Sequence, residues 1–167
     1  MQKREVAIII GSESDIETAK ETIAILKRFN LTFSLNIASA HRTVGHLKRC
    51  IYRACENGAK VFIAIAGMSA ALPGAIAGQT ILPVIGVPVV GGGLANFDSL
   101  FSIVQMPKGV PVAAVAVGKA GAINAALLAA QIIALGNAEL TQKLLDFRRN
   151  LEQEIIEKDR MLGLEFS

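Results

Sequence analysis

Short apolar runs alternate along this chain with stretches whose apolar residues recur every three or four positions. The runs are EVAIII (5–10), TFSLNI (32–37), KVFIAIA (60–66), PVIGVPV (83–89) and PVAAVAV (111–117). Each is brief, and most are rich in Val and Ile without clean polar alternation, the pattern of parallel strands covered on both faces. Between them, Ile16, Ala19, Ile23 and Leu26 make one helical stripe, opened by the capping pattern Ser12-x-x-Asp15. A second helix is expected over about 43–57, with Gly58 suited to the left-handed position after a helix end. Shorter helices are expected around 72–79 and 97–106, then a long alanine-rich one around 120–135. The alternation predicts an α/β fold, a three-layer doubly wound parallel sheet of the flavodoxin-like kind.

The last segment differs. Leu140, Leu144, Phe147, Leu151 and Ile155 recur at steps of three and four within 138–162. A helix of ~24 residues is ~36 Å long, longer than a small sheet is wide. The expectation is a single domain over 1–167, with helix 138–162 packing in part on a neighbouring subunit.

Composition strengthens the subunit idea. Of 167 residues, 52% are hydrophobic and only 19% charged, and the mean hydropathy is +0.48. That is greasy for a soluble monomer, and the excess in Ala, Val and Ile points to surface hidden between subunits. Residues 110–136 are the longest apolar stretch, yet Pro111, Gly118, Lys119 and Gly121 interrupt it, and Asn124 and Gln131 follow. A buried strand and helix are expected there rather than a membrane span. The opening MQKREVAIII has too short an apolar segment for a signal peptide, so a cytoplasmic location is expected. The net charge of +3 is scattered, with Arg148-Arg149 the nearest to a cluster. Nucleic acid is not an expected partner, whereas small anions are. Cys50 and Cys55, five apart on one expected helix, fit neither a metal pair nor a disulfide framework.

In a parallel sheet, ligands bind beyond the carboxyl ends of the strands. Those ends read GSESD (11–15), ASAHR (38–42), AGMSAALPG (66–74), GGGLAN (91–96) and GKAG (118–121). Polar and glycine residues thus gather on one edge. Ser12 and Ser14 fall at a helix start, where backbone N–H groups favour an anion, although capping alone would explain them. Arg42 supplies a forked cation suited to phosphate. His41, beside it, belongs to the residue type that carries protons near neutral pH. Neither G-x-x-x-x-G-K-[ST] nor G-x-G-x-x-G occurs, so no nucleotide-triphosphate loop or dinucleotide site is expected.

Taken together and in order, GSESD, SAHRT, AGMSAALPG, PVIGVPV, DSLFSIVQMPKGVPVA and GKAGAINAALLAAQI resemble the 5-(carboxyamino)imidazole ribonucleotide mutase family of purine biosynthesis, over about residues 5 to 150. The resemblance implies an enzyme without cofactor or metal that moves a carboxylate from the exocyclic nitrogen to C4 of an aminoimidazole ribonucleotide, through transient CO2. It implies His41 as proton shuttle and Arg42 on the phosphate, with Ser12 and Asp15 at the ribose and phosphate end. Ser14, Ser39 and Ala40 belong to the same matching motifs, and Gly67, Ser69, Ala70, Ala71 and Leu72 to the loop that meets the carboxylate. Met68, Ala70, Ala71 and Leu72 offer an apolar wall for CO2. The resemblance also implies a homo-octamer with sites near subunit boundaries. One departure stands out: typical mutases read GGAAHLPG where this chain reads GMSAALPG, so Ala71 replaces a histidine. The related carboxylases, which use CO2 directly, carry alanine there in a GRSNALSG-like loop, but read SAHK where this chain has SAHR. Direct carboxylation, or a phosphosugar-binding module without catalysis, are the alternatives.

Overall fold

A computed structural model describes residues 3–90 and 97–166. Five strands form one parallel sheet: β1 (Val6–Ile10), β2 (Phe33–Ile37), β3 (Val61–Ala66), β4 (Val84–Pro88) and β5 (Ala113–Ala114). Their order is β2-β1-β3-β4-β5, the flavodoxin-like winding. The helices are α1 (Ile16–Arg28), α2 (Val44–Glu56), α3 (Leu72–Ala77), α4 (Phe97–Val104), α5 (Gly118–Ala134) and α6 (Ala138–Glu165). The chain divides into two compact units, 1–129 and 130–167.

In the first unit, β1, β3 and β4 are buried along their whole length. One sheet face, carrying Ala7, Ile9, Phe62, Ala64 and Val84, packs with Leu47, Ile51, Ile76 and Ile103 from α2, α3 and α4. Gly86 belongs to this face for lack of room. A β-carbon there would lie 2.5 Å from Ile103 Cγ2 and 3.2 Å from Pro73. On the other face a β-carbon at Gly121 would touch Val87 Cγ1 at 3.4 Å, which places α5 against β4. There α1 and α5 are tied by Thr22 Oγ1 donating to the Ala122 carbonyl at 3.0 Å. Each large aliphatic side chain buried in such a core contributes about 1.5–3 kcal/mol.

Helix ends deliver the chain to the strands. Gly58, at φ +82, follows α2 as expected, with Ala59 N donating to Ala54 O and Gly58 N to Cys55 O, both at 3.0 Å. Asn30, at φ +57, repeats the arrangement after α1. Both are Schellman closures, and asparagine is the usual substitute for glycine there.

The two outer strands depart from expectation. Leu35 and Ile37 of β2 are 40% and 48% exposed, and β5 shrinks from the expected 111–117 to two residues. Among the described residues each pairs with a neighbour on one side only, and small alanines give β5 little to bury. Apolar character alone does not tell an edge strand from a central one.

In the second unit, α6 has 28 residues, and Asn137 Oδ1 caps it by accepting from Leu140 N at 3.1 Å. From Leu151 onward every described residue is exposed, including Ile155, Ile156, Met161 and Leu162. No helix among the described residues is long and apolar enough to cross a membrane.

Candidate active site

Three adjacent strands end level with one another. In register, Ile10 of β1 pairs with Ile37 of β2 and with Ile65 of β3. Just beyond, Ala38 N donates to Ile10 O at 2.9 Å and Gly11 N to Ile65 O at 3.0 Å. The loops after β1, β2 and β3 therefore leave the same edge, at the point where the winding reverses, which is where such sheets hold ligands. Between them lies a cleft of about 510 Å³, within the usual size of a small-molecule site.

All twelve residues expected at a site line this cleft: Ser12, Ser14, Asp15, Ser39, Ala40, His41, Arg42, Gly67, Ser69, Ala70, Ala71 and Leu72. Gly11, Ala66 and Met68 line it as well. Gly11 and Ala66 escaped the sequence reading as site residues because they are the last small residues of strand ends, with no chemistry of their own to signal them. Met68 was legible only as part of an apolar wall. The GKAG segment is not among the lining residues, and GGGLAN (91–96) lies outside the described residues.

The turn after β2 is wired within itself. Ser39 Oγ accepts from the backbone N–H of His41 at 3.3 Å and of Arg42 at 3.1 Å. Thr43 Oγ1 accepts from Ser39 N at 2.8 Å, and Thr43 N donates to Ser39 O at 3.1 Å. One serine thereby fixes the backbone of both functional candidates, and leaves their side chains exposed. Arg42 forms no ion pair among the described residues, so its charge faces the cleft unneutralised.

The expected helix start is a short 3₁₀ turn, Glu13–Asp15, leading into α1. Here the donors are not all open to an anion, because Ser12 N donates to Asp15 Oδ2 at 3.0 Å. Ser14 Oγ donates to Asp15 Oδ1 at 3.4 Å. The Asp15 side chain is 5% exposed, and burial pushes its carboxyl above the ordinary carboxylate value despite hydrogen bonds from Ser12, Ser14 and Gly11. A raised carboxyl favours folding below its unfolded pKa, and that contribution is lost as pH rises through the folded value. Asp15→Asn should therefore have a higher Tm than the wild type at neutral pH, with the gap closing as the pH falls toward ~4, near the unbound carboxylate value. A lower Tm at neutral pH would mean that the bonds to the carboxylate outweigh its burial.

The loop after β3 completes the wall. Met68 has φ +53, in the left-handed region where a residue with a side chain costs about 1–2 kcal/mol more than glycine. Beyond it Ala70 and Leu72 are buried, and Ala71 caps α3. Elsewhere, Cys50 and Cys55 are free thiols, and burial raises the first. Cys50 Sγ lies 3.4 Å from His46 Nε2 on the same helix, outside the cleft.

A family model described as AIR carboxylase matches residues 5–154. A protein of Escherichia coli K12 named N5-carboxyaminoimidazole ribonucleotide mutase is 49% identical over 152 residues, covering 91% of this chain and 90% of that one. One of Bacillus subtilis 168 with the same name is 49% identical over 157 residues, covering 94% and 97%. The crystal structure of Treponema denticola PurE superposes with a TM-score of 0.85 at 32% identity, covering 96% of this chain and 99% of that one. With the motifs, the sheet order and the cleft all on the matched segment, the chain belongs to the AIR carboxylase family.

Proposed function

We propose that this protein is an N5-carboxyaminoimidazole ribonucleotide mutase of purine biosynthesis, the activity its relatives are named for. One observation carries the reading. One cleft joins an exposed imidazole, an arginine without an ion pair among the described residues, a buried carboxylate and an apolar loop. Arg42 takes the phosphate, through charge-assisted hydrogen bonds. Asp15 is an acceptor suited to ribose hydroxyls, flanked by Ser12 and Ser14. Ser39 positions the turn.

The chemistry follows from these placements. Protonated His41 donates to the exocyclic nitrogen as its bond to the carboxylate carbon breaks, and that bond's electron pair returns to nitrogen. CO2 is released beside an enamine-like ring. Carbon C4 then attacks CO2, and His41 takes up the proton that C4 must lose. One group serves as acid and then as base, because an isomerisation has no net proton change. Ala70, Ala71 and Leu72 wall the CO2 from water.

We place the enzyme in the cytoplasm as one domain without cofactor. The exposed apolar face of α6 and the composition favour self-association, and the family resemblance implies a homo-octamer in which α6 lies partly on a neighbour; sedimentation should give a mass near eight chains. Ala71 favours the second reading, direct carboxylation. The two separate when the protein is given either the N-carboxy ribonucleotide or aminoimidazole ribonucleotide with bicarbonate. Efficient turnover of the first alone is expected. Preference for the second would make it a carboxylase, and turnover of neither a binding module.

A further inference from the structure

Two residues other than glycine have left-handed backbone among the described residues, Asn30 and Met68. Asn30 closes a helix, a position asparagine tolerates. Methionine has no such local bonus, and glycine would take the same backbone without strain. Packing within the chain does not account for it either, because the Met68 side chain is 69% exposed. It touches little of its own fold, yet it lines the cleft together with His41 and Arg42. The Met68 side chain, set against its backbone preference and not held by the chain's own core, is free to meet what enters the cleft.

We infer that Met68 is a flexible cover that closes on the bound ribonucleotide and retains CO2 between its release from nitrogen and its capture by C4. This rests on the mutase reading. CO2 has no charge and accepts hydrogen bonds poorly, so polar groups do not hold it; exclusion of water and a closed exit do. An unbranched thioether with three rotatable bonds suits that task, since it adapts to a ring face and swings aside for product release. Buried Ala70 and Leu72 form the fixed part of the wall, and Met68 the movable part.

The test places ¹³C in the carboxyl group of the N-carboxy substrate and follows its fate. Wild type should deliver nearly all of the label to C4. Met68→Gly, which relaxes the backbone and removes the cover, should raise the fraction lost as CO2 and free aminoimidazole ribonucleotide by roughly tenfold, the discrimination of a small apolar contact. Loss in a control without enzyme is subtracted. Met68→Leu, which keeps an apolar side chain of similar reach, should retain the label as wild type does. Retention by Met68→Gly equal to wild type overturns the inference. So does an altered sedimentation mass in Met68→Gly, because the side chain would then serve a subunit contact. Wild type that does not turn over the N-carboxy substrate instead overturns the mutase reading, whatever Met68 does.

Discussion

Replacing His41 with asparagine should lower turnover by ~10²–10⁴, the range for loss of a general acid–base. The loss should appear in kcat and kcat/KM alike, because the proton moves only in the transition state. The substitution is unusually clean in this fold. The His41 side chain is exposed and makes no hydrogen bond among the described residues, while its backbone N–H donates to Ser39 Oγ at 3.3 Å whatever the side chain. Asparagine keeps the polar reach but carries no proton at neutral pH. Arg42 and Asp15 are untouched, so nucleotide affinity measured by calorimetry should stay within a few-fold of wild type. Retention of more than about a tenth of the wild-type kcat, well short of the general-base range, would mean that solvent or another group moves the proton. Ala71, where the resemblance to the mutases implies a histidine, would then mark a site with a different proton path.

The second large effect concerns folding. A β-carbon on Gly121 would overlap the Ala116 carbonyl oxygen and lie 2.6 Å from its carbonyl carbon. Both are backbone atoms, so no side-chain rotation makes room. Gly121→Ala must therefore displace the start of α5, whose buried Ala122, Ala125, Ala126 and Ala129 sit in the first unit's core. Overpacking costs about 1–3 kcal/mol even where side chains yield. We expect the upper end or more, a fall in Tm of about 6–12 °C for a chain of this size, or no soluble protein. Gly109→Ala is the control. Gly109 has φ +95, and no atom of the described residues would lie within 4 Å of a β-carbon there, so only backbone strain of about 1–2 kcal/mol applies. Equal losses at both positions would show that steric overlap at Gly121 is relieved by an easy backbone shift.

Much of this was readable from residue order. The central strands β1, β3 and β4 announced themselves as Val/Ile runs because burial on both faces demands apolar residues throughout. The helices fell within a few residues of expectation, and Gly58 marked an end because few residues besides glycine turn left-handed without strain. The cleft was legible because a parallel sheet sends its loops to one edge, and His41, Arg42 and Asp15 carry chemistry that shows in any alignment of strand ends. What stayed hidden depends on three-dimensional proximity. Nothing in the letters of GKAG says that Gly121 serves a backbone crossing rather than a ligand. Nothing in PVAAVAV says that the sheet stops there after two paired residues. The positive φ of Met68 is equally silent, since methionine has no preference for it. The role of Ser39 as the hydroxyl that holds two backbone N–H groups needed the turn to be seen.

The outer strand has a bearing on how the protein is made. Among the described residues β2 pairs only with β1, and its sequence Phe33-Ser34-Leu35-Asn36-Ile37 contains no charge and no proline. Sheets usually guard such a border with lysine, proline or a bulge. Here a newly synthesised chain offers an open template for any extended segment of the same kind, its own copies included. Such addition is second order in unassembled protein, so a slow supply of chains favours correct maturation and a sudden burst favours insoluble material. Soluble yield should then fall as expression rate rises, with Tm unchanged.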